Sequence, residues 1–137
     1  MSTSSSEQFA LVAPEFFVRD VDASVAFYVD TLGFTLLRAD AGADGRRTFA
    51  VVVRGAAEFM LAHEAFLGTA TCEALPYPRA AGVDIRLMVD DVDAEYARIS
   101  AAGARIVLPV KDQPYGLRDF IVADPDGFRI RFAQRIA

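Results

Sequence analysis

The stretch Val18-Arg19-Asp20-Val21-Asp22-Ala23 decides the fold, because it returns between positions 89 and 94 as Val89-Asp90-Asp91-Val92-Asp93-Ala94. A strand-like run precedes each copy and a helix-like run follows it. Each helical run ends at a glycine, Gly33 or Gly103, as helices often do. Because self-similarity at a fixed spacing is the signature of a repeated unit, the sequence predicts two copies of one module.

Each half of the chain is predicted to fold as a strand, a helix and three more strands. The first helix is capped by Asp20 or Asp22 and the second by Asp91 or Asp93. The predicted elements are a strand over 9–18, a helix over 23–32 and strands over 34–37, 48–53 and 58–62, then a strand over 83–89, a helix to 102 and strands over 105–110, 117–123 and 128–133.

The domain organisation follows from these elements. We expect a disordered tip over residues 1–8 and one domain over 9–137, with a first module at about 9–63, a linker at about 64–82 and a second module at about 83–134. A lone four-stranded module with a helix on one face leaves its other face open. Two modules side by side are therefore predicted to give an α+β fold, a curved mixed sheet with a concave cavity.

Two segments carry a family resemblance. The segment over 17–28, closed by Leu32-Gly33-Phe34, and the segment Tyr115-Gly116-Leu117-Arg118-Asp119-Phe120, followed by Asp124-Pro125-Asp126-Gly127, resemble the glyoxalase/bleomycin resistance protein/dioxygenase superfamily, also called vicinal oxygen chelate proteins. The resemblance covers about residues 9–134 and implies paired βαβββ modules. It does not choose a reaction, because this fold hosts lyases, isomerases, dioxygenases, thiol transferases and drug-binding proteins.

Composition narrows the classes of partner. The net charge of −5 disfavours a nucleic-acid partner and mildly favours cationic small molecules. The single Cys72 cannot form an internal disulfide. The Ser-rich start lacks the pattern of a signal peptide and no apolar run is long enough to cross a membrane, so we expect a soluble cytoplasmic protein.

The resemblance also implies where a metal would bind. Metal-dependent members place ligands on the first, fourth, fifth and eighth strands, and the matching positions here are Ala13, Met60, Asp84 and Arg131. Alanine has no lone pair, Met is a soft ligand and Arg is a permanent cation, so we expect no metal cofactor. The alternative is a divalent metal held by other residues, drawn from Glu15, Glu58, His63 and Glu64.

Strand alternation identifies the residues expected to line the cavity. Asp84 is expected to pair with Arg131, and Glu15 with Arg86, because charges in an enclosed cavity must be paired or solvated. The residues at the alternate positions of these strands, which point to the other face, are expected to pack against the helices. They include Phe16, Phe59 and Val83. The candidate ligand-binding residues are Glu15, Phe17, Met60, Asp84, Arg86, Met88, Tyr115 and Arg131.

Three functional hypotheses remain open. The first is a metal-free protein that sequesters a small molecule, similar to bleomycin resistance proteins, whose dimeric grooves imply a homodimer here. The second is a metal-dependent lyase, isomerase or dioxygenase of glyoxalase type. The third is a structural or regulatory dimer with a filled cavity.

Overall fold

The computed structural model describes residues 10–68, 75 and 78–136, and each half has the predicted βαβββ order. The first module contains β1 (Glu15–Val18), α1 (Val21–Ala26), which continues as a π-helical turn over Phe27–Thr31, β2 (Thr35–Ala41), β3 (Arg47–Arg54) and β4 (Ala57–His63). A 3-10 helix over Glu64–Leu67 follows. The second module contains β5 (Asp84–Met88), α2 (Val92–Ala101), β6 (Arg105–Asp112), β7 (Leu117–Ala123) and β8 (Arg129–Arg135).

The α+β class and the two modules are confirmed, but the eight strands form two hydrogen-bonded sheets instead of one. The strand orders are β1-β4-β3-β2 and β5-β8-β7-β6, and in each sheet the first strand pairs in parallel with the last while the other pairs are antiparallel. The hydrogen bonds between strands thus lie within each module.

The predicted strand over 9–18 is too long, because β1 starts at Glu15, just after Pro14, which has no N–H to donate. Phe9 lies outside the described residues.

Local side-chain contacts fix where both helices begin. The carboxylate of Asp20 accepts a hydrogen bond from the Ala23 N–H at 3.1 Å, and that of Asp91 accepts one from Ala94 at 3.0 Å. Of the two candidates for each cap, the first in the chain is therefore the cap. Within the described residues, no helix has the length and apolar character needed to cross a membrane.

One apolar core is shared by both modules. It contains the strand residues that alternation predicted to pack against the helices. The exception is Val83, which precedes β5 and is 51% exposed. Phe16 in β1 stacks on Phe128 of the second module with ring centroids 4.3 Å apart. Because each sheet turns one face to this core, the other face of each sheet points away from it. Buried core members from the strands of both sheets are Phe16, Val18, Ala50, Val52, Phe59, Leu61, Leu87, Phe120, Val122, Ile130 and Phe132.

Polar contacts also join the modules. The buried hydroxyl of Tyr28 donates to Oδ2 of Asp124 at 2.8 Å, and Oδ1 of Asp124 accepts from two backbone N–H groups of its own turn. Within the second module, Arg118 bridges Asp93 and Asp112, both at 3.0 Å. Asp124 and Arg118 therefore hold neighbouring elements together.

Candidate functional site

A charged network lies on the open face of the second sheet, with Arg131 of β8 at its centre. Nη2 of Arg131 lies 3.0 Å from Oδ2 of Asp84 in β5, and Nη1 lies 3.0 Å from Oδ2 of Asp119 in β7. Nε of Arg129 lies 2.6 Å from the other oxygen of Asp84. The predicted Asp84–Arg131 pair is therefore confirmed, and it belongs to a larger network across three strands.

Burial and hydrogen bonding oppose each other at the carboxylates of this network. Burial alone would raise the pKa of Asp119, but hydrogen bonds from Tyr115, Gln113 and Arg131 outweigh it and lower the pKa below the ordinary value. The pKa of Asp84 is likewise lowered, because hydrogen bonds from Arg129 and Arg131 outweigh its burial. Both carboxylates are therefore ionised at neutral pH, and the guanidinium groups are their counterions.

Tyr115 connects this network to a depression of about 290 Å³. Its hydroxyl donates to Oδ2 of Asp119 at 2.7 Å and accepts from Nη1 of Arg131 at 3.2 Å, while the residue as a whole is 58% exposed. The ring is thus held in place and offers an accessible apolar face. The depression is lined by Leu108, Pro109, Lys111, Gln113, Tyr115 and Arg131.

The open face of the first sheet carries a separate depression of about 320 Å³. It is lined by Ala10, Leu11, Ala13, Arg38, Phe49, Val51, Glu58 and Met60. Glu15 is exposed on the edge strand β1. Phe17 is half-buried, and its carbonyl accepts a hydrogen bond from Arg79 at 3.0 Å.

The structure does not bring the eight predicted ligand-binding residues into one cavity. Met60 lies in the depression of the first sheet, whereas Tyr115 and Arg131 lie in that of the second. Arg86 and Met88 line a third hollow of about 530 Å³ beside the turn between β3 and β4. The sequence could not show this, because strand parity identifies a face of a sheet but not the direction in which that face points.

The predicted Glu15–Arg86 pair is wrong. Among the residues that the structure describes, neither side chain forms an ion pair with the other or with any further group. Glu15 lies in the first sheet and Arg86 in the second, and the open faces of the two sheets point away from the common core.

The donor set does not fit a catalytic metal. Within residues 10–68, 75 and 78–136, no group of three or more His, Cys, Asp or Glu side chains is placed to hold an ion. Asp84 is already bound to two guanidinium groups, and Arg131 would repel a divalent cation. Nδ1 of His63 accepts from the Ala65 N–H at 3.1 Å and caps the short 3-10 helix, as a helix-start histidine does. Cys72 lies outside the described residues.

Sequence reasoning missed Asp119, which is 1% exposed and binds three side chains of the network. Alternation in β7 was the available signal, because Phe120 and Val122 face the core and Asp119 and Ile121 must then face the other side. A charged residue next to a buried strand position needs a partner, and Arg131 is the partner that the fold supplies.

Comparisons with known proteins agree with this architecture. The sequence model of the Glyoxalase/Bleomycin resistance protein/Dioxygenase superfamily matches residues 9–132. A "Bleomycin resistance protein" of Geobacillus stearothermophilus is 32% identical, over 87% of this chain and 92% of that one. TnmS3, described as an antibiotic binding protein from Streptomyces sp. CB03234, is 28% identical with a TM-score of 0.68, covering 93% of this chain and 98% of its own. TioX from Micromonospora sp. ML1 is 29% identical with a TM-score of 0.70, covering 90% and 97%.

Proposed function

The chain belongs to the Glyoxalase/Bleomycin resistance protein/Dioxygenase superfamily, and we propose that within it the chain is a metal-free protein that binds and sequesters an antibiotic-like small molecule. Sequestration requires a complementary surface and no catalytic group. The relatives named for bleomycin resistance and for antibiotic binding support this class of ligand.

The proposal rests on the two ion pairs that Arg131 makes. Its position matches one where metal-dependent relatives carry a ligand, and here a guanidinium stands there, held between Asp84 and Asp119. This ion-pair network occupies the space and the carboxylate that a metal site would need. The accessible ring of Tyr115 and the side chain of Leu108 beside it supply apolar contact area of the kind that binding pockets use.

We further propose that the protein acts as a homodimer. The described depression on the first sheet is lined by first-module residues only, and the one on the second sheet by second-module residues only. A ligand in either depression would be held from one side by a single chain. A second copy laid over an open face would enclose it, and the exposed apolar residues Leu11, Met88 and Leu108 are available for such a contact.

The expected cationic ligand fits the first sheet better than the second. Glu15 and Glu58 both lie on the open face of the first sheet, and neither forms an ion pair with a described residue. A cationic group of the ligand would therefore bind on this side. The cytoplasmic location stays a prediction.

The proposal is tested by metal analysis and thermal unfolding of full-length protein purified without chelator. We expect less than about 0.1 equivalent of Fe, Mn, Ni or Zn, and metal-free bleomycin at one hundred times its Kd should raise Tm by roughly 5–10 °C. One equivalent of tightly bound metal would support the metal-dependent alternative instead. No stabilisation by bleomycin or by a panel of aromatic antibiotics would support the structural dimer with a filled cavity.

Substitution of Tyr115 tests whether the increase in Tm arises from binding at the proposed site. Tyr115→Ala removes the accessible ring and should abolish most of the Tm increase, whereas Tyr115→Phe keeps the ring and should retain most of it. Phe66→Ala removes an aromatic side chain that is 63% exposed outside both depressions and serves as the matched control.

A further inference from the structure

The open face of the second sheet is positively charged in a chain whose net charge is −5. The side chains of its network and its depression include three cations and two carboxylates, and Arg86 adds a fourth cation to this face because it pairs in register with Arg131. The six charged residues are Arg86, Lys111, Arg129, Arg131, Asp84 and Asp119. The acidic character of the molecule therefore does not extend to this surface.

Two of the four cations are neutralised and two are not. Arg129 and Arg131 are bound to Asp84 and Asp119, so that this part of the network has no net charge. Arg86 and Lys111 are exposed, and neither makes an ion pair with any described residue. Among these six residues, the excess positive charge is therefore at Arg86 and Lys111.

Both cations lie near Tyr115, Lys111 within the same depression and Arg86 just outside it. Lys111 and Tyr115 line the same depression. Arg86 lies beside Arg131 on the neighbouring strand, and Arg131 donates a hydrogen bond to the Tyr115 hydroxyl at 3.2 Å. Asp119, which accepts the hydrogen bond of the Tyr115 hydroxyl, is 1% exposed, so a molecule that approaches Tyr115 from the open side meets Lys111 before it meets this carboxylate.

We propose that the ligand carries an acidic group, a carboxylate or sulfonate attached to a ring, and that Lys111 and Arg86 bind this group while the ring packs on Tyr115 and Leu108. This inference rests on the proposed function, because it names the chemistry that the second sheet selects within the same binding site. The oxygens of a carboxylate or a sulfonate can accept paired hydrogen bonds from the guanidinium of Arg86, and the ring supplies the apolar contact. A cationic group of the same ligand would lie against the first sheet of the second copy in the proposed homodimer.

Three naphthalene probes of the same shape test the charge preference by calorimetry at low salt. We expect 2-naphthoate to bind about tenfold more tightly than 2-naphthalenemethanol, and 2-naphthylmethylammonium to bind most weakly. The advantage of 2-naphthoate should shrink as the salt concentration rises, because ions screen exposed charges.

Charge-removing variants locate the interaction. Lys111→Gln and Arg86→Gln should each weaken 2-naphthoate binding by about three- to tenfold and leave 2-naphthalenemethanol binding unchanged, whereas Lys111→Arg should retain most of the affinity. Arg105→Gln removes an exposed cation that lines a different hollow with Asp124, and it should leave the binding of 2-naphthoate unchanged.

Lys111 is the only lysine in the chain, which gives a direct reporter of contact. Reductive methylation with ¹³C-formaldehyde keeps the charge and labels this side chain and the amino terminus. Titration of the labelled full-length protein with 2-naphthoate should shift the Lys111 resonance with the same Kd as calorimetry. The inference is overturned if 2-naphthoate fails to bind, binds no more tightly than the alcohol, or saturates without moving that resonance. The proposed function is tested separately, by the metal analysis and the antibiotic panel.

Discussion

Nη1 of Arg131 lies 3.0 Å from Oδ2 of Asp119, a carboxylate whose side chain is 1% exposed. The same guanidinium reaches Asp84 with its other terminal nitrogen, so that one side chain of β8 ties β5 to β7 across the open face of the second sheet. A buried carboxylate that loses its only cation retains its full cost of desolvation. Arg131 is therefore a structural residue as well as a candidate ligand contact.

Arg131→Gln should lower the free energy of unfolding by about 2 kcal/mol at neutral pH, because Asp119 keeps its neutral donors but loses its counterion. Urea denaturation followed by circular dichroism measures the change. Arg86→Gln, on the same face without an ion pair to a described residue, should change stability by less than about 0.5 kcal/mol. Equal effects of the two substitutions would contradict the role assigned to Arg131.

Asp124 should make stability rise as the pH falls through the weakly acidic range. Burial raises its pKa from 3.8 to about 6, against the lowering effect of its hydrogen bonds. Since the folded state then binds the proton more tightly than the unfolded state does, protonation between these two pKa values stabilises the fold. Relative to Asp124→Asn, the natural protein should gain about 2 kcal/mol between pH 7 and pH 4.5.

The comparison with Asp124→Asn is needed because other carboxylates act in the opposite direction. Hydrogen bonds from arginine outweigh burial and lower the pKa of both Asp84 and Glu95, so the stability that these groups contribute is lost as the pH falls below about 4. They titrate equally in both proteins, and their contributions cancel in the difference. Urea unfolding at four pH values is sufficient, and a difference that does not vary with pH would disprove the assignment to Asp124.

Phe16→Ala should lower the free energy of unfolding by about 3–4 kcal/mol, because Phe16 is 4% exposed and contacts aromatic rings of both modules. Its centroid lies 4.3 Å from that of Phe128 and 5.2 Å from that of Phe59. Thermal and urea unfolding measure the loss. Phe66→Ala, at an exposed position, should change stability by no more than about 0.5 kcal/mol, and a similar loss in both variants would show that the Phe16–Phe128 stack does not dock the modules.

Gly127→Ala should destabilise the protein by about 2–4 kcal/mol for two independent reasons. The backbone of Gly127 has φ +91°, and a Cβ there would lie 2.9 Å from Cα of Pro78 and closer still to its Cβ. Gly45→Ala is the matched control, because Gly45 has φ +81° with open space around it and should cost only about 1 kcal/mol. Urea unfolding measures both losses of unfolding free energy. Equal losses would show that the contact between Pro78 and this turn does not restrict the residue at position 127.

The candidate site was partly predictable for a reason that Arg131 and Glu15 illustrate. Arg131 and Asp84 lie on adjacent strands of one module, where parity and register alone bring side chains together, and their predicted pair is present. Glu15 and Arg86 lie in different modules, and their predicted pair is absent. The alternation of side chains along a strand predicts contacts within one sheet. It cannot predict contacts between two separate sheets, because it does not give their relative position.

By itself the sequence determined the repeated βαβββ module, the glycine stops at Gly33 and Gly103 and the strand parity that buries Phe16 and Phe132, because these features depend on neighbours a few residues apart. Only the tertiary structure decided that the strands divide into two sheets with open faces pointing away from one core, and that Asp119 completes the network around Arg131. Those outcomes depend on how the aromatic side chains of the two modules pack on each other, which no local pattern records.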